Sequence, residues 1–312
     1  MVADYDPDRH IQRVLEREQR RPRRRRPQVE QLELFEMPKL DSRPAVPRGT
    51  IEGLIVDDEM LFSRLVSLHS ATKAAVARTY AEIVGTAMGG RWKIWWVELF
   101  SGPGRLFVRE SGVFVLGSPL EAMGIPHPFD GYVFTDLNPA CTESLRRRVG
   151  LAPNIHVLRG DANGAELLDR VTGIVPRNAL VVVYADPEGL DLAWPTLKHF
   201  IDRYRHLDLL LNLPVTGIVR AISAGYENKA RAVLDCPSPR DLIETNGPKG
   251  ALIREWYSRK LHAEGFDKIH GTTVTQHGRD RELYDVLLAS RHPLAQKFFE
   301  AAVDSAYKRI AS

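Results

Sequence analysis

A chain of 312 residues, 44% of them hydrophobic, is long enough for one large α/β domain or two small ones. Its 43 Lys and Arg against 40 Asp and Glu leave a formal charge of +3, so the folded body is not globally basic. Two cysteines, Cys141 and Cys236, have neither metal-ligand spacing nor a disulfide framework. No apolar run would span a bilayer and the N-terminus has no apolar core, so a cytoplasmic chain without a metal is expected.

Residues 1 to about 50 differ from the rest. They are rich in Arg, Glu, Gln and Pro, and nothing in them buries a face, which reads as a mostly disordered arm. Arg20 and Arg21, with Arg23, Arg24, Arg25 and Arg26, form a block of like charge. Such a block either binds nucleic acid or is a solvated tail. Gln31-Leu32-Glu33-Leu34-Phe35 follows. It resembles the short peptide by which bacterial replication and repair proteins dock on the DNA sliding clamp, with Leu34 and Phe35 offered to apolar pockets and Gln31 to a hydrogen bond. Leu32-Glu33-Leu34-Phe35 can also make a small amphipathic turn against the body.

From Ile51 the pattern is globular. Residues 58–88 carry Leu61, Leu65, Leu68, Val76, Tyr80 and Val84 at helical spacing, which predicts helix in two pieces, so that 51–90 forms an N-terminal helical segment. Short apolar strands are then expected at 94–99, 131–136, 154–158, 180–185 and 207–212, with helices at 118–124, 139–148, 164–172 and 195–204 between them. Ser118-Pro119-Leu120-Glu121 reads as a capping box, and Pro139 and Pro195 mark two further helix starts. The alternation predicts a parallel sheet with right-handed crossovers. Residues 105–117 interrupt it as a small hairpin, either a lid over a ligand or a surface excursion, and 224–250 read as an insertion. A helix at 251–264, strands at 267–275 and 282–290 joined by a turn from Gln276 to Arg281, and a closing helix at 291–309 complete the chain. The expected fold is a Rossmann-like, seven-stranded, mostly parallel sheet ending in an antiparallel hairpin.

Four strand ends carry polar chemistry. The first gives Glu98 and the loop Phe100-Ser101-Gly102-Pro103-Gly104, whose glycines let a ligand approach the backbone closely. The second closes on Asp136, able to accept bonds from both ribose hydroxyls or to cap the following helix. The third leads into Asp161-Ala162, where a carboxylate and a backbone N–H can meet the edge of a base, or simply form a polar turn. The fourth gives Asp186-Pro187-Glu188-Gly189, beside Asn212 and Pro214 from the next strand. Acids converging on one crevice disfavour a di- or triphosphate and suit a cationic nucleoside cofactor, S-adenosylmethionine. Asp186, Pro187 and Asn212 are the candidate catalytic groups, and Glu98, Phe100, Gly102, Gly104, Asp136, Asp161 and Ala162 the candidate cofactor contacts. Amino-group methyltransferases acting on bases carry Asp/Asn-Pro-Pro-aromatic here; this chain keeps the first two residues only, with Tyr184 and Trp194 the nearest aromatic rings. Lys73 either reaches the crevice to meet an anion or is a solvated helix lysine.

These motifs, with His69-Ser70-Ala71-Thr72-Lys73 upstream and Leu283 to Phe299 downstream, resemble the bacterial three-Cys-motif partner proteins over roughly residues 60–305. That family in turn resembles class I S-adenosylmethionine-dependent methyltransferases. The resemblance implies a seven-stranded sheet, cofactor contacts by Gly102, Gly104, Asp136 and Asp161, and a radical-S-adenosylmethionine-like partner with a three-cysteine motif; the globular pattern itself predicts one methyltransferase-like domain over 51–312. The leading expectation is a methyltransferase-like protein acting on or near nucleic acid. The alternative is a non-catalytic adaptor that keeps the fold. A nicotinamide dehydrogenase ranks below both, because the loop lacks Gly-x-Gly-x-x-Gly.

Overall fold

The computed structural model describes residues 53–275 and 282–311. The arm with Arg20 to Arg26 and Gln31 to Phe35, and the turn from Gln276 to Arg281, lie outside the described residues.

A seven-stranded sheet carries the molecule. Its strands are β3 (Ile94–Leu99), β6 (Gly131–Asp136), β7 (Ile155–Arg159), β8 (Leu180–Ala185), β9 (Leu207–Leu213), β10 (Lys268–Thr275) and β11 (Glu282–Ser290), in the order β10-β11-β9-β8-β3-β6-β7. All neighbours are parallel except β11, which runs antiparallel to both β9 and β10. This is the Rossmann-like arrangement expected, and the first five strands fall within one residue of the predicted bounds. Both faces are covered, and strand side chains alternate between two cores. In β8, Val181, Val183 and Ala185 join Leu197, Phe200, Ile218 and Tyr257 on one side. Leu180, Val182 and Tyr184 join Val76, Tyr80, Phe298 and Phe299 on the other. Strands buried on both faces read as continuous apolar runs, which is why they stand out in the sequence.

The second core is closed by α1 (Leu68–Met88), α2 (Ser118–Met123), α3 (Pro139–Val149) and α10 (Ala295–Ala311). The first is closed by α4 (Ala165–Ile174), α5 (Trp194–Arg203), α6 (Val215–Ser223), α7 (Glu227–Leu234), α8 (Pro239–Glu244) and α9 (Lys249–Ala263). The span 224–250 holds α7 and α8. Among the described residues, no helix is long and apolar enough to cross a membrane.

The N-terminal expectation is corrected. Residues 58–88 are not helix throughout, nor is 51–90 a helical segment: β1 (Leu54–Val56) and β2 (Phe62–Val66) precede α1. Leu61, Leu65 and Leu68 imitate helical spacing, but Phe62–Val66 alternates, with Ser63 and Leu65 buried. The pleat prevails because β2 finds partners on both sides: β1 antiparallel, and β4 (Arg105–Val108) parallel. With β5 (Val113–Leu116), β4 forms the expected hairpin, and the four strands make a small second sheet in the order β1-β2-β4-β5. Since β4 follows directly on Gly104, this sheet stands over the carboxyl ends of the large one.

The capping box is also corrected. Gly117 occupies the cap position of α2; the Ser118 hydroxyl donates to Glu98 and Glu121 pairs with Arg78. The tie to a buried carboxylate prevails over the cap.

Candidate functional site

The order in which the chain adds strands reverses between the parallel neighbours β3 and β8, so the loops that follow them part and open a crevice at their carboxyl ends. A cavity of about 1090 Å³ lies there. That is at the upper end of small-molecule sites, about 300–1,000 Å³, and leaves room for a cofactor and an acceptor together.

Its first wall is made by the ends of β3, β6 and β7. Phe100 and Gly102 have φ of 63° each and Gly104 has φ of 88°. A Cβ on Gly104 would come within 2.8 Å of Leu145 Cδ1, so both conformation and space require glycine there. Backbone bonds fix the loop: Ser101 N–H to Thr135 O at 2.8 Å and Gly117 N–H to Gly104 O at 2.8 Å. The Asp136 carboxylate accepts from Gly102 N–H on one oxygen and from Asn138 N–H on the other, at 2.8 Å each. Asn138, not Asp136, caps α3, accepting from Ala140 N–H. A carboxylate offers about four lone-pair sites, so Asp136 keeps acceptor capacity toward the cavity. Asp161 and the buried Ala162 follow β7. Next to them Asn163 donates to Asp191 O and accepts from Ala193 N–H and Thr196 Oγ1, which ties the β7 loop to the β8 loop.

The second wall comes from β2, α1 and the loop after β8. Asp186 accepts from Lys73 Nζ at 2.5 Å, and the same ammonium stands 4.9 Å from the centre of the Tyr284 ring. Lys73 is therefore a paired cavity group rather than a solvated helix lysine. Arg64, on β2, pairs with Glu188 across the cavity and contacts Cys141 Sγ at 3.5 Å. Burial pushes the Cys141 thiol up to about 11. At the rim, Lys229 of α7 pairs with Asp191 at 3.3 Å. Thus Asp186, Glu188 and Asp191 are each held by a cation from a different element.

Three candidates stand behind the cavity rather than in it: Gly104, whose Cβ position faces Leu145 and Leu120, together with Glu98 and Asn212. Glu98 is 1% exposed and accepts from Ser118 Oγ and from Trp96 Nε1; only Ser118 reaches the cavity. Burial pushes its acid up to about 8, against the lowering effect of those two bonds. Asn212 is buried and donates to the Tyr184 hydroxyl at 3.2 Å. Trp194 is a core ring, edge-on to Tyr257 and under Lys260. Tyr184 is 1% exposed, so neither aromatic candidate offers an open face beside Asp186. Phe100, Gly102, Asp136, Asp161, Ala162, Asp186, Pro187 and Lys73 all line the cavity. Arg64 is hidden in the sequence because its strand imitates a helix.

The donor set fits S-adenosylmethionine. Gly102, with no Cβ and a φ of 63°, would let it approach the backbone closely, Asp136 and Asp161 would meet its hydroxyls and base, and Leu137 flanks Asp136 with an exposed apolar surface.

No protein-family model matches the chain, and no curated protein matches it. Among solved structures, it is similar to an O-methyltransferase from Bacillus cereus in complex with SAH, at 12% identity and TM-score 0.42, over 72% of this chain and 82% of that one. It is also similar to a Legionella pneumophila protein, at 10% identity and TM-score 0.48, over 78% of this chain and 94% of that one. A third likeness is to a cofactor-bound protein from MTB, at 15% identity and TM-score 0.37, over 73% of this chain and 82% of that one. All three are distant, and the chemistry is read from this chain's own cavity.

Proposed function

We propose that this protein is an S-adenosylmethionine-dependent methyltransferase. The observation that carries the reading is the single cavity in which the glycine loop, Asp136, Asp161 and Ala162 face Asp186 and Lys73. Asp136 would hold the ribose hydroxyls, and Asp161 with the Ala162 backbone the base edge. Bound there, S-adenosylmethionine supplies an electrophilic methyl group. Asp186 Oδ2 accepts a proton or hydrogen bond from the acceptor, while Lys73 holds Oδ1 and fixes the carboxylate in place. Positioning in line supplies much of the rate in such transfers. Pro187 rigidifies the turn that carries Asp186, and Asn212 supports it from β9 through Tyr184.

Calorimetry tests the first step. Binding of S-adenosylmethionine, lost in Asp136→Ala, is expected; no heat at millimolar cofactor ends the enzyme reading. The next step is methyl transfer from labelled cofactor to nucleic acid, with Asp186→Asn as the control.

The acceptor is proposed to be nucleic acid or a component bound near it. The support is sequence alone: the Arg23 to Arg26 block and the clamp-like Gln31, Leu34 and Phe35 in the arm. Clamp binding should fall on Leu34→Ala with Phe35→Ala. The motif set likewise supports a radical-S-adenosylmethionine-like partner bearing three cysteines, testable by co-purification.

One observation favours a second reading, a non-catalytic adaptor. Neither aromatic candidate offers the open stacking face used on a base in amino-group methyltransferases: Trp194 is buried in the core, and Tyr184, though it borders the cavity, is 1% exposed. Cofactor binding without transfer to any nucleic acid, protein or small-molecule acceptor would support that reading.

A further inference from the structure

Arg64 belongs to none of the sheet-end motifs, yet it lines the cavity. Its side chain is 20% exposed, and its partner Glu188 is 75% exposed. The guanidinium lies over the glycine loop: Arg64 Nε would be 3.8 Å from a Cβ built on Gly102. It also feels Asp136, which with Glu188 and the Cys141 thiol holds its proton against the cost of burial.

The order of groups along the sheet edge fixes how a nucleoside cofactor would run. Asp161 and Ala162 stand at the β7 end, Asp136 at β6, the glycine loop at β3 and Asp186 at β8. A base at β7 and a ribose at Asp136 send the 5′ substituent past the glycine loop, beneath Arg64. In S-adenosylmethionine that substituent ends in an amino acid, whose carboxylate must be matched. Asp186 and Glu188 repel it. Lys73 is occupied by Asp186 and the Tyr284 ring.

Resting on the cofactor reading above, we propose that Arg64 binds the cofactor's carboxylate in exchange for Glu188. The planar guanidinium fork matches a carboxylate, and trading one carboxylate for another keeps the charge balanced. Glu188 returns to water at little cost, because its side chain is already mostly solvated. The exchange also unties the loop Asp186-Pro187-Glu188-Gly189 from β2. Arg64 thereby couples cofactor arrival to the freedom of the loop that carries Asp186.

The test compares S-adenosylhomocysteine, which carries the carboxylate, with 5′-methylthioadenosine, which lacks it, by calorimetry on the full chain. Wild type should prefer the carboxylate by about tenfold or more. Arg64→Gln should bring the two ligands within about threefold while leaving 5′-methylthioadenosine affinity unchanged, which also reports an intact pocket. Glu188→Gln should tighten S-adenosylhomocysteine several-fold and leave 5′-methylthioadenosine alone, an effect a purely structural ion pair would not give. Lys73→Gln should retain the preference. A preference that survives Arg64→Gln, or disappears in Lys73→Gln instead, overturns the assignment, as does unchanged affinity in Glu188→Gln. If wild type binds neither compound, the cofactor reading fails and this one with it.

Discussion

The two walls of the cavity are built by different physics. On the sheet side, the glycine loop and Asp136 are fixed by backbone bonds at about 2.8 Å, within a few residues of strands buried on both faces. On the facing side, Arg64, Lys73 and Lys229 hold Glu188, Asp186 and Asp191 through long, rotatable side chains. Backbone bonds at strand ends give a surface formed before any ligand arrives. Ion pairs near solvent are individually worth about 0–1 kcal/mol and exchange readily. The sheet wall is therefore a template for one constant ligand, and the facing wall is adjustable.

Besides the Asn163 tie between the β7 and β8 loops, one buried cation clamps both walls. Arg148, on the last turn of α3, is 4% exposed and donates to Pro103 O in the glycine loop at 2.6 Å and to Phe62 O of β2 at 2.7 Å. It also pairs with the fully buried Asp57. Breaking such a pair from one side leaves an uncompensated charge and costs about 3–5 kcal/mol. Arg148→Met should therefore lower the urea midpoint more than Glu98→Gln, Gly104→Ala or Lys73→Gln. It should also weaken cofactor binding, because Pro103 loses its anchor. A loss below about 1 kcal/mol would mean that the two walls fold independently.

Glu98 sharpens the sheet wall from beneath. A glutamate in water titrates near 4.5, and here burial raises it to about 8. Between those values the folded chain holds a proton that the unfolded chain has released. Stability is therefore lost as pH rises through that window, on the order of a few kcal/mol in total. Glu98→Gln imitates the protonated acid, still meeting Trp96 and Ser118, and should flatten the profile between pH 5 and pH 8. Denaturant titrations at several pH values decide; parallel profiles for the two proteins would place the ionised acid in the folded state throughout.

The same division explains what is legible in the sequence. Ile94–Leu99 and Leu180–Ala185 match their predicted bounds to the residue because parallel strands buried on both faces leave unbroken apolar runs. The acids ending them follow from fold logic, and Asp136, Asp161 and Asp186 do line one cavity. The facing wall is not legible. Phe62–Val66 pairs with Arg105–Val108 across more than 40 residues, a contact no local pattern announces, and Arg64 is concealed with its strand. Glu98 reads as a cavity group because strand position alone does not tell which face a side chain takes. One residue of register places it behind Ser118.

Gly104→Ala tests the preformed template directly. The residue needs φ of 88°, and the added Cβ would meet Leu145, itself fully buried. Strain and overpacking of this kind cost about 1–3 kcal/mol. Thermal unfolding should register it, and cofactor affinity should fall with it. An unchanged melting temperature would show that the loop relaxes and is not held in place before binding.

Lys73→Gln gives the smallest expected change in stability and marks the adjustable wall. The pair with Asp186 is partly exposed, so its removal should cost no more than about 1 kcal/mol. Its effect belongs in the acceptor step. Freed from the ammonium, the Asp186 carboxylate is no longer held in one orientation, and the transfer rate should fall several-fold while cofactor affinity stays as it was. A lysine that merely packed against Tyr284 would leave that rate unchanged; one that held the cofactor would change its affinity instead. The transfer rate and the binding isotherm together separate these three roles, because only the first joins Lys73 to Asp186 without joining it to the template wall.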